Sequence, residues 1–218
     1  MIDAELLSGL TSLSPRDTDR VYGVMVGVVT NNQDPDGLGR VKLRLPWLSA
    51  EHESNWARVV SPMAGNDRGL YLLPEVDDEV LVAFEHGSVE FPYVLGSLWN
   101  GKDKPPGKND DGKNNVRALK SRSGHTVALD DTDGKEKIEI IDAKGKESVV
   151  LDVAKNTITI TADKDVVIES KDGTIKLTAK KGIEIVAQDG PARLEASGNV
   201  DVKSGAQVNV KGSAINLN

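Results

Sequence analysis

From residue 21 onward, apolar and polar residues follow one another at the two-residue period of a β-strand. Tyr22, Val24, Val26 and Val28 alternate with Gly23, Met25, Gly27 and Val29. The turn-forming NNQDPDGLG follows. In RVKLRL, Val41, Leu43 and Leu45 take one face and Arg40, Lys42 and Arg44 the other. Further strand-like runs are NWARVV, GLYLLP, DEVLVAFE and PYVLGSLW. Short strands separated by Gly, Pro and Asp turns predict a small closed barrel, which leaves no unpaired edge. Before it, residues 2–13 (IDAELLSGLTSL) have the spacing of a short amphipathic helix. An isolated helix that short is marginal, so its burial must come from a partner or from the barrel.

The second half obeys a different rule. Aliphatic residues recur in pairs separated by one residue, in most cases polar: Val127/Leu129, Ile138/Ile140, Val149/Leu151, Ile158/Ile160, Val166/Ile168, Ile175/Leu177, Ile183/Ile185, Ala192/Leu194, Val200/Val202, Val208/Val210 and Ile215/Leu217. Successive pairs lie 11, 11, 9, 8, 9, 8, 9, 8, 8 and 7 residues apart. This is an internal repeat. Within a strand both members of a pair point to one face, while the Thr, Lys, Glu and Asn neighbours point to the other. An isolated meander of this kind would not stand alone. Either one chain coils into a solenoid, or three chains intertwine into a triangular prism. Ile158, Ile183 and Val208 are spaced by 25 residues twice, as a three-sided single-chain rung would require. Spacing leaves both architectures open.

Composition sharpens the boundary between the halves. All eight aromatic residues fall between Tyr22 and Trp99, and eight of the nine prolines occur by Pro106. Residues 100–115, NGKDKPPGKNDDGKNN, are almost without apolar content and read as an exposed linker. The chain has no cysteine, which excludes disulfides and thiolate metal sites. Its first residues lack the basic region and apolar run of a secretory signal. Residues 1–100 hold 7 Lys/Arg against 15 Asp/Glu, and residues 101–218 hold 20 against 19. Neither half is a basic surface, so nucleic acid is not an expected partner.

Several residues invite a chemical reading and gain little from it. His52, His86 and His125 have no metal-ligand spacing. The GLG at 37–39 lacks the Lys-Ser/Thr of a phosphate loop and reads as a hairpin turn. DDTDG at 130–134 lacks the twelfth-position Glu of an EF-hand loop. Asp77, Asp78 and Glu79 have no identifiable acid/base partner and read as a solvated turn. No catalytic residue, cofactor site or metal site is expected.

GVVTNNQDPDGLGRVKLRLPWL, NWARVVSPMAGNDRGLYLLPEVDDEVLVAFEHG and FPYVLGSLWNGKDKPP occur in this order. Together they resemble the OB-fold domain of the central spike proteins of contractile injection machines. That family includes phage baseplate spikes, the VgrG proteins of type VI secretion and the spikes of extracellular contractile particles. The block LKSRSGHTVALDDTDGKEKIEI resembles its transition into a β-helical spike. The resemblance implies an all-β chain, an OB-fold barrel followed by a triple-stranded, trimeric and intertwined β-helix. Its parts would be an N-terminal arm (1–20), the OB-fold domain (21–100), a linker or transition (101–119) and the β-helical spike (120–218).

In that trimer Ile158, Ile160, Val166, Ile168, Ile175, Leu177, Ile183, Ile185, Val200, Val202, Val208 and Val210 would form the core. The function implied is structural, a membrane-puncturing spike rather than an enzyme. Only about 20 residues precede the barrel here, which implies a separate hub protein at the N-terminal end. A histidine-coordinated iron tip is not expected, since the last histidine is His125. The end GSAINLN instead resembles spikes capped by a PAAR-type tip protein, with Ala214, Ile215, Asn216, Leu217 and Asn218 as the contact. Effector cargo, assembly in the cytoplasm, incorporation into a phage-tail-like or secreted particle, and contact with a target membrane only on injection complete the expectation. The competing reading is a single-chain β-helix acting on or binding carbohydrate.

Overall fold

The structure, a computed structural model, describes residues 20–49 and 51–216. The helix expected over 2–13 lies outside them. The chain divides into two units, Met1–Asp163 and Lys164–Asn218.

The first unit begins with β1 (Met25–Asn31), β2 (Arg40–Arg44), β3 (Ala57–Val59), β4 (Ala64–Gly65), β5 (Arg68–Gly69), β6 (Glu79–Phe84) and β7 (Pro92–Ser97). Strands β1, β2, β3, β7 and β6 close into a barrel in that order. All pair antiparallel except β3 and β7. The alternation in the sequence decides what goes inside. Val41 and Leu43 of β2 are fully buried while Arg40, Lys42 and Arg44 face outward, and Val80, Val82 and Phe84 of β6 point inward. With Val29, Leu45, Ala57 and Val94 they make the barrel core. Each such side chain contributes roughly 1.5–3 kcal/mol on burial. Gly27 is where β1 crosses closest to this core: a Cβ there would stand 3.1 Å from Val82 Cγ2 and 3.2 Å from Leu45 Cδ2. Trp47 closes over the core, its ring edge-on to Phe84 at 6.1 Å.

The DPDGLG turn is held by one carboxylate. Asp34 accepts hydrogen bonds from the backbone N–H groups of Asp36, Leu38 and Arg40, and Arg40 Nη2 donates to its Oδ1 at 2.6 Å. Gly37 and Gly39 supply the positive φ values (66° and 69°) that the turn needs. Arg40 and Lys42 then lie over the ring of Trp56, at 5.7 and 5.6 Å.

GLYLLP departs from its expected strand. Only Gly69 pairs, in the two-residue hairpin of β4 and β5. Leu70, Tyr71 and Leu72 are exposed. The backbone carbonyls here are taken by side chains rather than by a ladder: Ser61 Oγ donates to Met63 and Leu70, and Asn32 Nδ2 to Pro74.

After residues 98–115, which contain no strand, β8 (Val116–Lys120), β9 (Thr126–Asp130), β10 (Lys137–Ile141), β11 (Ser148–Asp152) and β12 (Thr157–Thr161) form a five-stranded antiparallel meander. The tight turns between these strands occupy the extra residues in the first spacings of the repeat. Spacings of 11, 11 and 9 mark hairpins here, and β8 starts inside the segment expected as linker. Arg122 Nη1 donates to Glu75 Oε2 at 2.8 Å, linking the turn after β8 to the loop before β6.

In the second unit, residues 164–216 form neither strand nor helix, and bends fall at 164, 171–173, 180–181, 188–190, 197–198, 205–206 and 213. No strand ladder joins the stretches between bends to one another.

Leu43 is fully enclosed by the barrel, so Leu43→Ala should cost about 3 kcal/mol through lost transfer energy and a residual cavity. Denaturant unfolding followed by tryptophan fluorescence would measure it.

Candidate assembly surfaces

The register of the meander turns the aliphatic pairs into two continuous stripes. Leu129 faces Ile138, Ile138 faces Leu151, and Leu151 faces Ile158. Leu119 faces Val127, and the second stripe continues through Ile140, Val149 and Ile160. Both stripes lie on one face, because members of a pair are two residues apart.

That face is the open one. Ile138 and Ile140 are 41% and 54% exposed, whereas the side chain of Glu139 between them keeps only 18% of its accessibility. On the other face Ala128 is buried, and Thr126, Asp130, Lys137, Ser148, Val150 and Asp152 are half-buried. Lys137 sits opposite Asp130 on one side and Asp152 on the other, and its Nζ meets Glu139 Oε2 at 2.7 Å. The ion pair with Glu139, helped by the flanking aspartates, raises the Lys137 pKa above its ordinary value. In the central strands β9–β11 the sheet is therefore inside out: the side carrying Lys137, Glu139, Asp130 and Asp152 is the more sheltered, and most of the aliphatic side faces solvent.

The second unit repeats this condition without a sheet. Val166, Ile168, Ile175, Leu177, Ile183, Ile185, Val200, Val202, Val208 and Val210 all lie on the stretches between bends, and every one is at least half exposed. Of the proposed core set, Ile158 and Ile160 belong instead to β12 and are exposed there. The structure does not bring the core residues of this unit together within one chain. At the C-terminal end Ala214, Ile215 and Asn216 are exposed and outside any strand or helix, and Leu217 and Asn218 lie outside the described residues.

Polar residues singled out in the sequence resolve into turn chemistry. Asp130 Oδ1 accepts from the backbone N–H and hydroxyl of Thr132 in the DDTDG turn. Asp78 Oδ2 accepts from the Glu75 N–H. His52 bonds Ser49, His125 Nδ1 accepts from the Ala143 N–H, and His86 takes the left-handed conformation (φ 48°) with its carbonyl receiving Arg20 Nη1. Among the described residues no group of three His, Cys, Asp or Glu could hold a metal ion, and no helix is long and apolar enough to cross a membrane. The hydrogen bond from Arg40 holds the Asp34 carboxyl well below the usual carboxylate range. Backbone donors from Lys144, Glu147 and Lys146 lower Asp142 to about 2. Beside the β4–β5 hairpin an open groove of about 940 Å³ is lined by Leu38, Val60, Met63, Leu70, Tyr71 and Leu72. It offers apolar cover rather than chemistry, and the sequence concealed it as a presumed strand.

Residues 25–99, the barrel, match the type VI secretion system/phage-baseplate injector OB domain. Residues 117–218, the sheet and the second unit, match a family described as an uncharacterized protein conserved in bacteria (DUF2345). The curated relatives include three proteins of Pseudomonas aeruginosa PAO1 named type VI secretion system spike proteins. VgrG1b is 30% identical over 139 residues, covering 61% of this chain and 18% of the relative. VgrG2a is 30% identical over 96 residues (42% and 11%), and VgrG1a 25% over 138 residues (58% and 22%). The two family matches and these relatives together support a VgrG-like baseplate spike protein. The chain spans about a tenth to a fifth of the length of these VgrG relatives. The OB assignment read from the sequence stands on the closed five-stranded barrel and on the match to its residues.

The depressed Asp142 carboxyl stabilises the β10–β11 turn above its unfolded pKa of ~3.9, and that stability is lost as pH falls toward its folded value. Asp142→Ala should therefore melt earlier than wild type at pH 7, and the gap should narrow from about pH 4 to pH 2 in thermal melts.

Proposed function

We propose that this chain is a structural central spike of a contractile injection machine, and that its functional form is an intertwined homotrimer. The observation that carries this reading is the aliphatic pair repeat. From Leu119 to Ile215 it is displayed to solvent, first on an inside-out sheet and then on stretches without a ladder. Exposed apolar area of this extent marks an association surface. In a three-chain prism each pair meets two symmetry mates at the axis, the bends become corners, and the unpaired backbone groups of residues 164–216 find partners between chains. The stiffness of such a ladder suits a part that is driven through a membrane. A single-chain carbohydrate-active β-helix would need strand ladders within 164–216, and none joins these stretches.

The remaining roles follow the family to which the barrel belongs. The OB-fold barrel, the N-terminal arm ahead of it and a separate hub protein form the base; Ala214–Asn218 meet a PAAR-type tip protein at the other end. The spike is assembled in the cytoplasm and leaves as part of the injection particle, with effector cargo where the machine carries it. Its work is mechanical and uses no catalytic group. The domain boundaries read from the sequence are retained with one adjustment, that the spike begins in an antiparallel collar, β8–β12, before the intertwined part.

Light scattering behind size exclusion tests the reading directly. A mass of about three times 23.4 kDa is expected, and a mass of 23.4 kDa at micromolar concentration would defeat it. Within the trimer the weakest rung is that of Ala192, where Pro191 also removes a backbone donor. Ala192→Val should fill that layer and raise the melting temperature of the trimer, by an amount corresponding to roughly 1 kcal/mol per filled methyl-sized void.

A further inference from the structure

We infer that the five-stranded sheet β8–β12 is the nucleus of chain association: its aliphatic face docks on the same face of two further copies of this chain before residues 164–216 pair at all. The inference rests on the proposed trimer and adds to it an order of events and a surface that controls it.

Three observations on the molecule support this. First, the sheet is already complete within one chain. Four strand pairings fix its backbone, and the two stripes stand in register without help from a partner. Docking it costs rigid-body freedom and some rotamer freedom, and little backbone ordering. Residues 164–216 have no ladder of their own, so pairing them between chains must order some 50 residues per chain at about 1–2 kcal/mol each in backbone entropy. A reaction that orders so much chain with no preformed template has a costly first step, as a helix does before its first turn. Contacts of high sequence separation between chains form late for the same reason.

Second, the face is large enough. Eight of its nine aliphatic side chains, all but Val149, are 37–71% exposed, a contiguous area on the order of the ~800 Å² that each partner contributes to a standard stable interface. Third, the occupant is specified by periodicity. The same pairs continue from the sheet through the second unit, all exposed. A partner covering them must present an aliphatic pair every seven to eleven residues over the same length, and a copy of this chain does so. Of the charges of the sheet, Lys137, Glu139, Asp130 and Asp152 lie on the opposite side, while Arg117 stands across from Leu129 at the β8 edge of the aliphatic face, where it pairs with Asp131.

The experiment compares three full-length variants by light scattering and by limited proteolysis. Ile140→Asp places a charge in the second stripe, on the central strand β10, and Ile140→Ala removes bulk there without adding charge. Because Ile140 is exposed within its own chain, both leave the barrel and the meander intact, which near-ultraviolet dichroism of Trp47 and Trp56 checks for the barrel. Ile183→Asp places the same charge in the second unit. The expected result is that Ile140→Asp is monomeric, with residues 164–216 digested. Ile140→Ala should associate at least tenfold more weakly than wild type. Ile183→Asp should keep the wild-type mass while its C-terminal part becomes protease-sensitive. A wild-type mass for Ile140→Asp, or a monomeric Ile183→Asp, would overturn the inference while leaving the trimer itself standing. A monomeric wild type would instead remove the trimer on which it rests.

Discussion

Everything beyond the barrel depends on one mismatch: the chain makes far more regularly spaced aliphatic surface than it can cover. A strand shows its two faces alternately, so a pair pattern sustained for about 100 residues generates one unbroken apolar side. A single chain has two ordinary means of hiding such a side, closing the sheet on itself or packing a second layer against it. The barrel uses the first. The β8–β12 sheet and residues 164–216 use neither, and the sheet shelters its polar side instead. In the proposed trimer other chains cover that side, and the period of the pairs restricts which chains will fit.

The two halves of Met1–Asp163 show the contrast at close range. In the barrel, hydrogen bonding and hydrophobic burial are satisfied together: the sheet closes, its edges vanish, and Leu43, Val80, Val82 and Val94 fill the lumen. In the meander the backbone is satisfied and the side chains are not. The Arg122–Glu75 ion pair ties the meander to the barrel through two exposed side chains, a weak link by itself.

Legibility in the sequence followed the same division. The barrel was readable where a strand alternates strictly, as β2 does, and where a turn carries its own chemistry, as in DPDGLG with Asp34 and two positive-φ glycines. At β1 the face of Tyr22, Val24 and Val26 is exposed, and Gly27 and Val29 point inward instead. GLYLLP has the apolar content of a strand and is not one beyond Gly69, because its Leu70 and Pro74 carbonyls are bound by Ser61 and Asn32. In the second half the pairs were plain, but the difference between spacings of 11 and 8 carried information that pairing alone did not. An antiparallel hairpin needs residues to reverse direction, and these are the extra ones around Asp142 and Thr132. The inversion of the sheet faces could not be read at all. Alternation says that two faces differ, and it is silent about which one the rest of the chain will shelter.

The order of the parts along the chain has a consequence for how the protein is made. The self-sufficient barrel leaves the ribosome before the sheet that is proposed to dock on other copies. At ~5–20 residues per second, residues 162–218 take several seconds to add while a nascent chain already carries the meander face. Neighbouring ribosomes on one message hold such chains close together, so that partners meet at high local concentration at the moment the face emerges. A reversed order would have trailed an adhesive strand behind an unfinished barrel throughout synthesis.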